Sequence, residues 1–355
     1  MKYIFIVQGE GRGHLTQAIS MRDLLAGNGH EVTEVLVGKR RAATLPQFFS
    51  KRMYPCPVST FESPYFLFSS KNKKSLLLKS ILLNLFKLPV YLGNAAFISR
   101  RIRKSDADAV VNFYEVVTGL AYAFFRPGKP CICVAHQYLF LHPRFVLPPK
   151  SKLELAALLF FTRLTAMNAH RLLALSLREM PHDRRIFVVP PLLRKEVMQK
   201  TSRKEGYILG YMLNESFSEE VIAWHRQHPE MPLHFFWSKK GAPGTLEVDG
   251  NLALHQLDDS SFLDFMSRCS AYASTGGFES ICEAMYLRKP VMMVPAHIEQ
   301  ECNAFDAVGA GAGIASPAFD LTLLMQYLPA YRENSGFSEW VAQADSLIAE
   351  ALAVP

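Results

Sequence analysis

The sequence predicts an α/β protein of two doubly wound parallel-sheet domains facing a cleft, and three observations carry that prediction. Short apolar or β-branched runs alternate with longer amphipathic stretches, the pattern of strands and crossover helices that covers a parallel sheet on both faces. At 355 residues, 49% of them hydrophobic, the chain has the length of about two ordinary domains and enough apolar content to fill two cores. Between the halves, "FVVPPLLRKEVMQKTSRKEG" (187–206) sets Pro190-Pro191 ahead of a polar charged run, the composition of a linker. The expected domains are residues 1–190 and 191–355.

In the first domain the strands are expected at "KYIFIV" (2–7), "EVTEVLVG" (31–38), "DAVVNFY" (108–114) and "PCICVAH" (130–136). In the second they are expected at "GYILGYML" (206–213), "LHFFWS" (233–238), "AYAST" (271–275) and "PVMMVP" (290–295), with helices between them. The final amphipathic stretch, "GFSEWVAQADSLIAEALA" (336–353), reads as a helix that is free to pack back across the hinge onto the first domain.

Cys56, Cys131, Cys133, Cys269, Cys282 and Cys302 lie mostly in apolar runs without C-x-x-C spacing, so reduced thiols are expected and a zinc site is not. Only "YIFIV" separates Met1-Lys2 from a polar loop, too short for a signal-peptide core or a membrane span. The expectation is a cytoplasmic protein.

Charge divides the chain. Residues 1–190 hold 27 Lys and Arg against 11 Asp and Glu, and residues 191–355 hold 12 against 21, giving +16 and −9. No acidic residue occurs from Ser63 to Ser105, and Lys71 to Lys104 alternates apolar clusters with nine Lys and Arg. That stretch suits the interface of an anionic membrane, with the protein peripheral on its inner face. It equally suits a core helix with a solvated basic face. No recognition motif supports a nucleic-acid partner.

Two motifs carry chemistry. "IVQGEGRGHLTQ" (6–17) offers Gly9, Gly11 and Gly13, but His14 stands where a dinucleotide fingerprint needs its third glycine. What remains is a glycine-lined turn after the first strand, with a histidine at a helix start in the pKa range of a general base. The second is "ASTGGFESICEAMYLRKPVMMVPAHIEQECNA" (273–304). Here a strand runs through Ser274-Thr275-Gly276-Gly277 into a helix whose first amides can hold a diphosphate. Ser280-x-x-Glu283 also spells a capping box, which would need no ligand.

The whole segment resembles the donor-binding signature of glycosyltransferases with two Rossmann-like domains, the GT-B architecture. It is most similar to the inverting enzymes related to UDP-glucuronosyltransferases and to the N-acetylglucosaminyltransferase of peptidoglycan synthesis. The matching residues are Thr275, Gly276, Gly277, Ser280, Glu283, Pro290, Pro295, Glu299 and Gln300, and "GRGHLTQA" resembles the acceptor-side loop of the same enzymes. The resemblance implies a nucleotide-sugar donor, with UDP as the nucleotide, and no cofactor. Thr275, Gly277 and Ser280 would hold the diphosphate, Glu283 the ribose, Glu299 and Gln300 the sugar, and Leu257 the base, with Asn214 completing the wall. On the acceptor side His14 would deprotonate the attacking hydroxyl of a glycan or lipid-linked acceptor. Gly11 and Gly13 would shape its loop, and Glu115 would orient it. His136, ending another strand at the same edge, competes as base or acceptor ligand, and a plain helix-start acid is the alternative for Glu115.

Asp106-Ala-Asp108 spells D-x-D but precedes a strand, so a helix-to-strand loop is expected. Position 287, eight beyond Glu279, is leucine, so the paired glutamates of retaining enzymes are missing. Both point to an inverting, metal-independent enzyme. A sugar-nucleotide 2-epimerase, a non-catalytic sugar-nucleotide binder and an oxidoreductase remain open on sequence alone.

Overall fold

The computed structural model describes residues 1–65, 77–213, 215–239 and 241–353. These fall into two compact units, one formed by residues up to Arg194 together with those from Trp340 onward, the other by Lys195–Glu339.

In the first unit β1 (Lys2–Gln8) lies at the centre of the sheet, and Tyr3 to Val7 are all fully buried, as a strand covered on both faces requires. α1 (Gly13–Gly27) leads to β2 (Glu31–Lys39) and α2 (Gln47–Met53) to β3 (Val58–Glu62). α3 (Leu77–Phe86) and α4 (Leu88–Lys104) lead to β4 (Ala109–Phe113), and α5 (Val116–Phe124) to β5 (Cys131–Ala135). A 3-10 turn (His136–Leu141) and α6 (Lys152–Thr165) lead to β6 (Arg171–Leu175), which β7 (Ile186–Val189) follows at the sheet edge. The order is β3-β2-β1-β4-β5-β6-β7 and every pairing is parallel. The order reverses between β1 and β4, which opens a crevice at their carboxyl ends where ligands of such sheets bind.

The second unit begins with α7 (Lys195–Met198) and repeats the plan. β8 (Ile208–Tyr211) is followed by α8 (Ser218–His225), β9 (Leu233–Trp237), β10 (Thr245–Glu247) and β11 (Leu252–Gln256). After these come α9 (Asp259–Arg268), β12 (Ala271–Ser274), α10 (Phe278–Tyr286), β13 (Val291–Met293), α11 (Ile298–Gly309), β14 (Gly313–Ala315) and α12 (Leu321–Tyr327). The order is β10-β11-β9-β8-β12-β13-β14, parallel except for the β10–β11 pair, and it reverses between β8 and β12. Phe235, Met292 and Phe319 fill its core, each side chain contributing about 1.5–3 kcal/mol by burial.

The chain end returns to the first unit. α13 (Ser335–Ala342) and α14 (Ala344–Leu352) supply Trp340, which enters that unit's core and donates its indole N–H to the Ser176 carbonyl at 2.9 Å. Arg171 on β6 donates to the carbonyls of Glu350, Ala351 and Ala353 at 3.3, 2.9 and 2.7 Å. These are carbonyls of the last helical turn, which lack partners within the helix.

Two sequence expectations need correction or completion, and a third holds. The stretch read as a linker from residue 187 begins inside β7, because "IFVV" pairs with β6 before Pro190 ends the ladder. β3, β6, β10, β11 and β14 were not anticipated as strands. β3 is half exposed, β14 has only three residues, and "RLLAL" reads equally well as helix. Asp106-Ala-Asp108 does form a helix-to-strand loop at the amino edge of the sheet, where Asp106 pairs with Lys2 and Asp108 accepts the Lys2 amide at 2.8 Å.

Candidate functional site

The first candidate site occupies the carboxyl edge of β1, β2, β3 and β4. Gly9 donates to the Gly38 carbonyl at 2.7 Å and Glu10 accepts from the Arg40 amide at 3.0 Å, so the β1–α1 loop is stitched to the exit of β2. Gly11 takes φ +87° and Gly13 is the first residue of α1. His14 therefore begins its helix beside the switch-point crevice. Its Nδ1 lies 3.0 Å from Gln17 Oε1, and its ring stacks on Tyr114 with centroids 5.4 Å apart and planes at 25°.

Glu115 lies next to Tyr114 in sequence, but its carboxylate is not paired with the imidazole. It is the N-cap of α5, where its Oε1 accepts from the Val117 amide at 3.0 Å and from the Ser63 hydroxyl at 2.6 Å. Glu115 is fully buried and its Oε2 has no hydrogen-bond partner. Burial pushes its pKa up to about 7, against the opposing hydrogen bonds from Ser63 and Val117. A Cβ on Gly38 would sit 2.1 Å from that Oε2, so only glycine leaves room for the carboxyl. The orienting pair expected from the resemblance is thus replaced by the helix start and Ser63, because the left-handed Tyr114 (φ +59°) intervenes between β4 and the acid.

His136 also departs from its expected role. It is 1% exposed, its Nδ1 is 2.7 Å from the Leu175 carbonyl, and its ring packs edge-on against Phe140. That ties the exit of β5 to the exit of β6 and buries the imidazole.

The second candidate site occupies the carboxyl edge of β12 and β13. Gly276 takes φ +83°, a conformation side chains resist, and a Cβ there would come within 3.4 Å of the Gln300 carbonyl. Its amide donates to Ser274 Oγ at 3.2 Å, and its carbonyl accepts from Asn303 Nδ2 at 3.1 Å, which fixes α11 against the turn. Thr275 is fully buried and its hydroxyl has no partner. Gly277 is the N-cap of α10 and supplies no side-chain cap, whereas Asp258 caps α9 by accepting from the Ser260 amide at 3.2 Å.

The capping box is not formed. Ser280 lies inside the first turn of α10 and donates to the Gly277 carbonyl at 3.1 Å, one turn too far along to act as the cap. Glu283 lies on the same helix at 2% exposure. Gln300 Oε1 accepts from the Ala296 amide at 2.9 Å, holding the turn before α11, and Glu299 is half-buried in the first turn of that helix. Leu257, half-buried, donates its amide to the Trp237 carbonyl at 3.0 Å at the exit of β11. Asn214 lies outside the described residues. Among the described residues there is no group of three His, Cys, Asp or Glu that could hold a metal ion.

Gln17, Ser63, Tyr114 and Asn303 were not anticipated. Asn303 and Gln17 left a signal in the sequence, standing three residues after Gln300 and His14 and so on the same side of a helix. Ser63 and Tyr114 meet their partners through tertiary contacts.

Two Rossmann-like units with their glycine turns at the switch-point crevices make the GT-B architecture. The chain belongs to glycosyl transferase family 1, whose sequence profile matches residues 1–330. Solved structures agree on the fold. The glycotransferase of kitacinnamycin is 16% identical with a TM-score of 0.62, over 98% of this chain and 95% of that one. Acinetobacter baumannii MurG is 14% identical with a TM-score of 0.55, over 99% of both chains. Medicago truncatula UGT71G1, solved with UDP-glucose, is 13% identical with a TM-score of 0.63, over 99% of this chain and 94% of that one. No curated protein matches the sequence.

Proposed function

We propose that the protein transfers a sugar, with inversion and without a metal ion, from a nucleoside diphosphate to a hydroxyl acceptor, UDP being the donor nucleotide. The observation that carries this reading is the turn Thr275-Gly276-Gly277, which presents a buried, unpartnered hydroxyl and the uncapped start of α10 at the carboxyl edge of β12. A diphosphate supplies an acceptor oxygen to the Thr275 hydroxyl, and the helix dipole favours its charge. Glu283 takes the ribose hydroxyls, Leu257 borders the base, and Glu299 with the amide N–H₂ of Gln300 hold the sugar.

The acceptor hydroxyl is deprotonated by His14. Its oxygen forms a bond to the sugar's anomeric carbon as the bond from that carbon to the diphosphate breaks. The proton ends on the imidazole, and the electron pair leaves with the diphosphate. Attack from the side opposite the leaving group inverts the anomeric centre. Charge developing on the diphosphate is stabilised by the fixed donors of the α10 turn.

A lipid-linked acceptor, met at an anionic membrane surface, fits Leu82, Leu85 and Phe86, which are 59%, 64% and 86% exposed beside Lys87. Such a cluster exceeds the scattered apolar residues of an ordinary surface. Residues 71–76 of the basic stretch lie outside the described residues, and no described helix is long and apolar enough to cross a membrane.

A thermal-shift panel of UDP, GDP, dTDP, CDP and NAD tests the donor reading. A nucleotide at about 100 times its Kd adds roughly 2.7 kcal/mol, and the shift is expected with UDP and lost in Glu283→Ala. Stabilisation by NAD alone would overturn the donor reading. Equal sedimentation with anionic and neutral liposomes at low salt would remove the membrane part.

A further inference from the structure

We propose that Gln17 and Tyr114 are positioning residues for His14. They hold its imidazole as the Nδ1–H tautomer, which puts the basic lone pair on Nε2. The inference rests on the reading of His14 as the base.

Gln17 stands three residues after His14 on α1, so the two side chains share a face. It is only 2% exposed, and the atom it turns to the imidazole is Oε1, 3.0 Å from Nδ1. A carboxamide oxygen only accepts, so Nδ1 must carry the hydrogen and the lone pair must lie on Nε2. Tyr114 covers one face of the ring. Its own place is fixed by the left-handed backbone at the end of β4, by a 2.7 Å hydrogen bond between its hydroxyl and Thr162 Oγ1, and by edge contacts with Tyr138 and Phe161. A bulky residue adopts positive φ only where its surroundings impose it.

The arrangement has a chemical consequence. A neutral amide orients an imidazole without the charge stabilisation a carboxylate would give its cation. The stacked phenol supplies a different one, since an imidazolium formed by proton uptake at Nε2 lies over an aromatic face. Throughout the step Nδ1–H stays on Gln17. The other titratable groups of this edge include Glu10 and Arg12 on the His14 loop, Lys39 and Arg40 at the exit of β2, Glu62 at the end of β3 and Glu115 beyond Tyr114. Glu10 is engaged by Arg40, and Glu115 by Ser63 and the Val117 amide.

Nitrogen-15 NMR of the histidine rings, with the His14 signals assigned from His14→Asn, tests the proposal in the free protein. Neutral His14 is expected protonated at Nδ1, and Gln17→Leu should return it towards the Nε2–H form. Gln17→Glu should raise its titration midpoint by about one pH unit. Should the buried glutamate prevent folding, Tyr114 gives an independent test. Tyr114→Leu should abolish the ring-current displacement of the His14 ring protons, and Tyr114→Phe should keep it. An Nε2–H tautomer in the wild type, or ring-proton shifts unaltered in a folded Tyr114→Leu, overturns the proposal. These readouts need no donor or acceptor. If His14→Ala leaves sugar-nucleotide turnover intact, the base reading fails while the tautomer result stands.

Discussion

The two units share a strand plan but place their chemistry in different parts of the chain. In the first, the switch-point crevice is furnished with side chains: the imidazole of His14, the phenol of Tyr114 and the carboxyl of Glu115. In the second, it is furnished largely with backbone, a left-handed Gly276 and the start of α10, which has no side-chain cap. A site that moves a proton needs a group with a pKa near neutrality. A site that holds a diphosphate needs donors that cannot lose their protons at all. The charge of the halves is opposite to a naive expectation, since the turn proposed to hold the diphosphate lies in the half of net charge −9.

The largest break in this comparison is expected from His14→Ala. Sugar-nucleotide turnover, followed as release of the nucleoside diphosphate, should fall by about 10²–10⁴-fold, while the thermal shift given by UDP stays as in the wild type. Loss of the shift as well would mean that the two sites are not separable in function.

Glu115→Gln gives a smaller effect, confined to stability. The folded pKa of Glu115 is raised from 4.5 to about 7, so the native state keeps a proton that the unfolded chain releases. Its contribution is therefore fully present below pH 4.5, is lost as pH rises through about 7, and amounts to about 3 kcal/mol across that window. Urea midpoints measured from pH 4.5 to 8 should show wild type and Glu115→Gln converging at the acid end, with the variant more stable at pH 8. Parallel curves would place the carboxyl in a more solvated setting.

Gly276→Val should act on the second unit alone. Left-handed backbone costs a non-glycine residue about 1–2 kcal/mol, and a Cβ would press on the Gln300 carbonyl. The expected result is a lower melting midpoint and no UDP shift, with the His14 ring signals unchanged. An unaltered UDP shift would show that the turn has no part in holding the ligand.

Much of this was legible in the chain. Eight runs read as strands are strands, because buried parallel strands leave unbroken apolar runs such as "KYIFIV" that few other structures produce. The glycine turns and His14 were visible for the same local reason, since a turn's backbone demand is written in its own residues. Tertiary structure decided what those residues touch. It gave Glu115 to Ser63 and a helix start, enclosed His136 between β5 and β6, drew Ser280 inside α10 and set Tyr114 against His14. Each of these depends on which element lies alongside, and periodicity fixes which face of an element is buried but not which neighbour covers it.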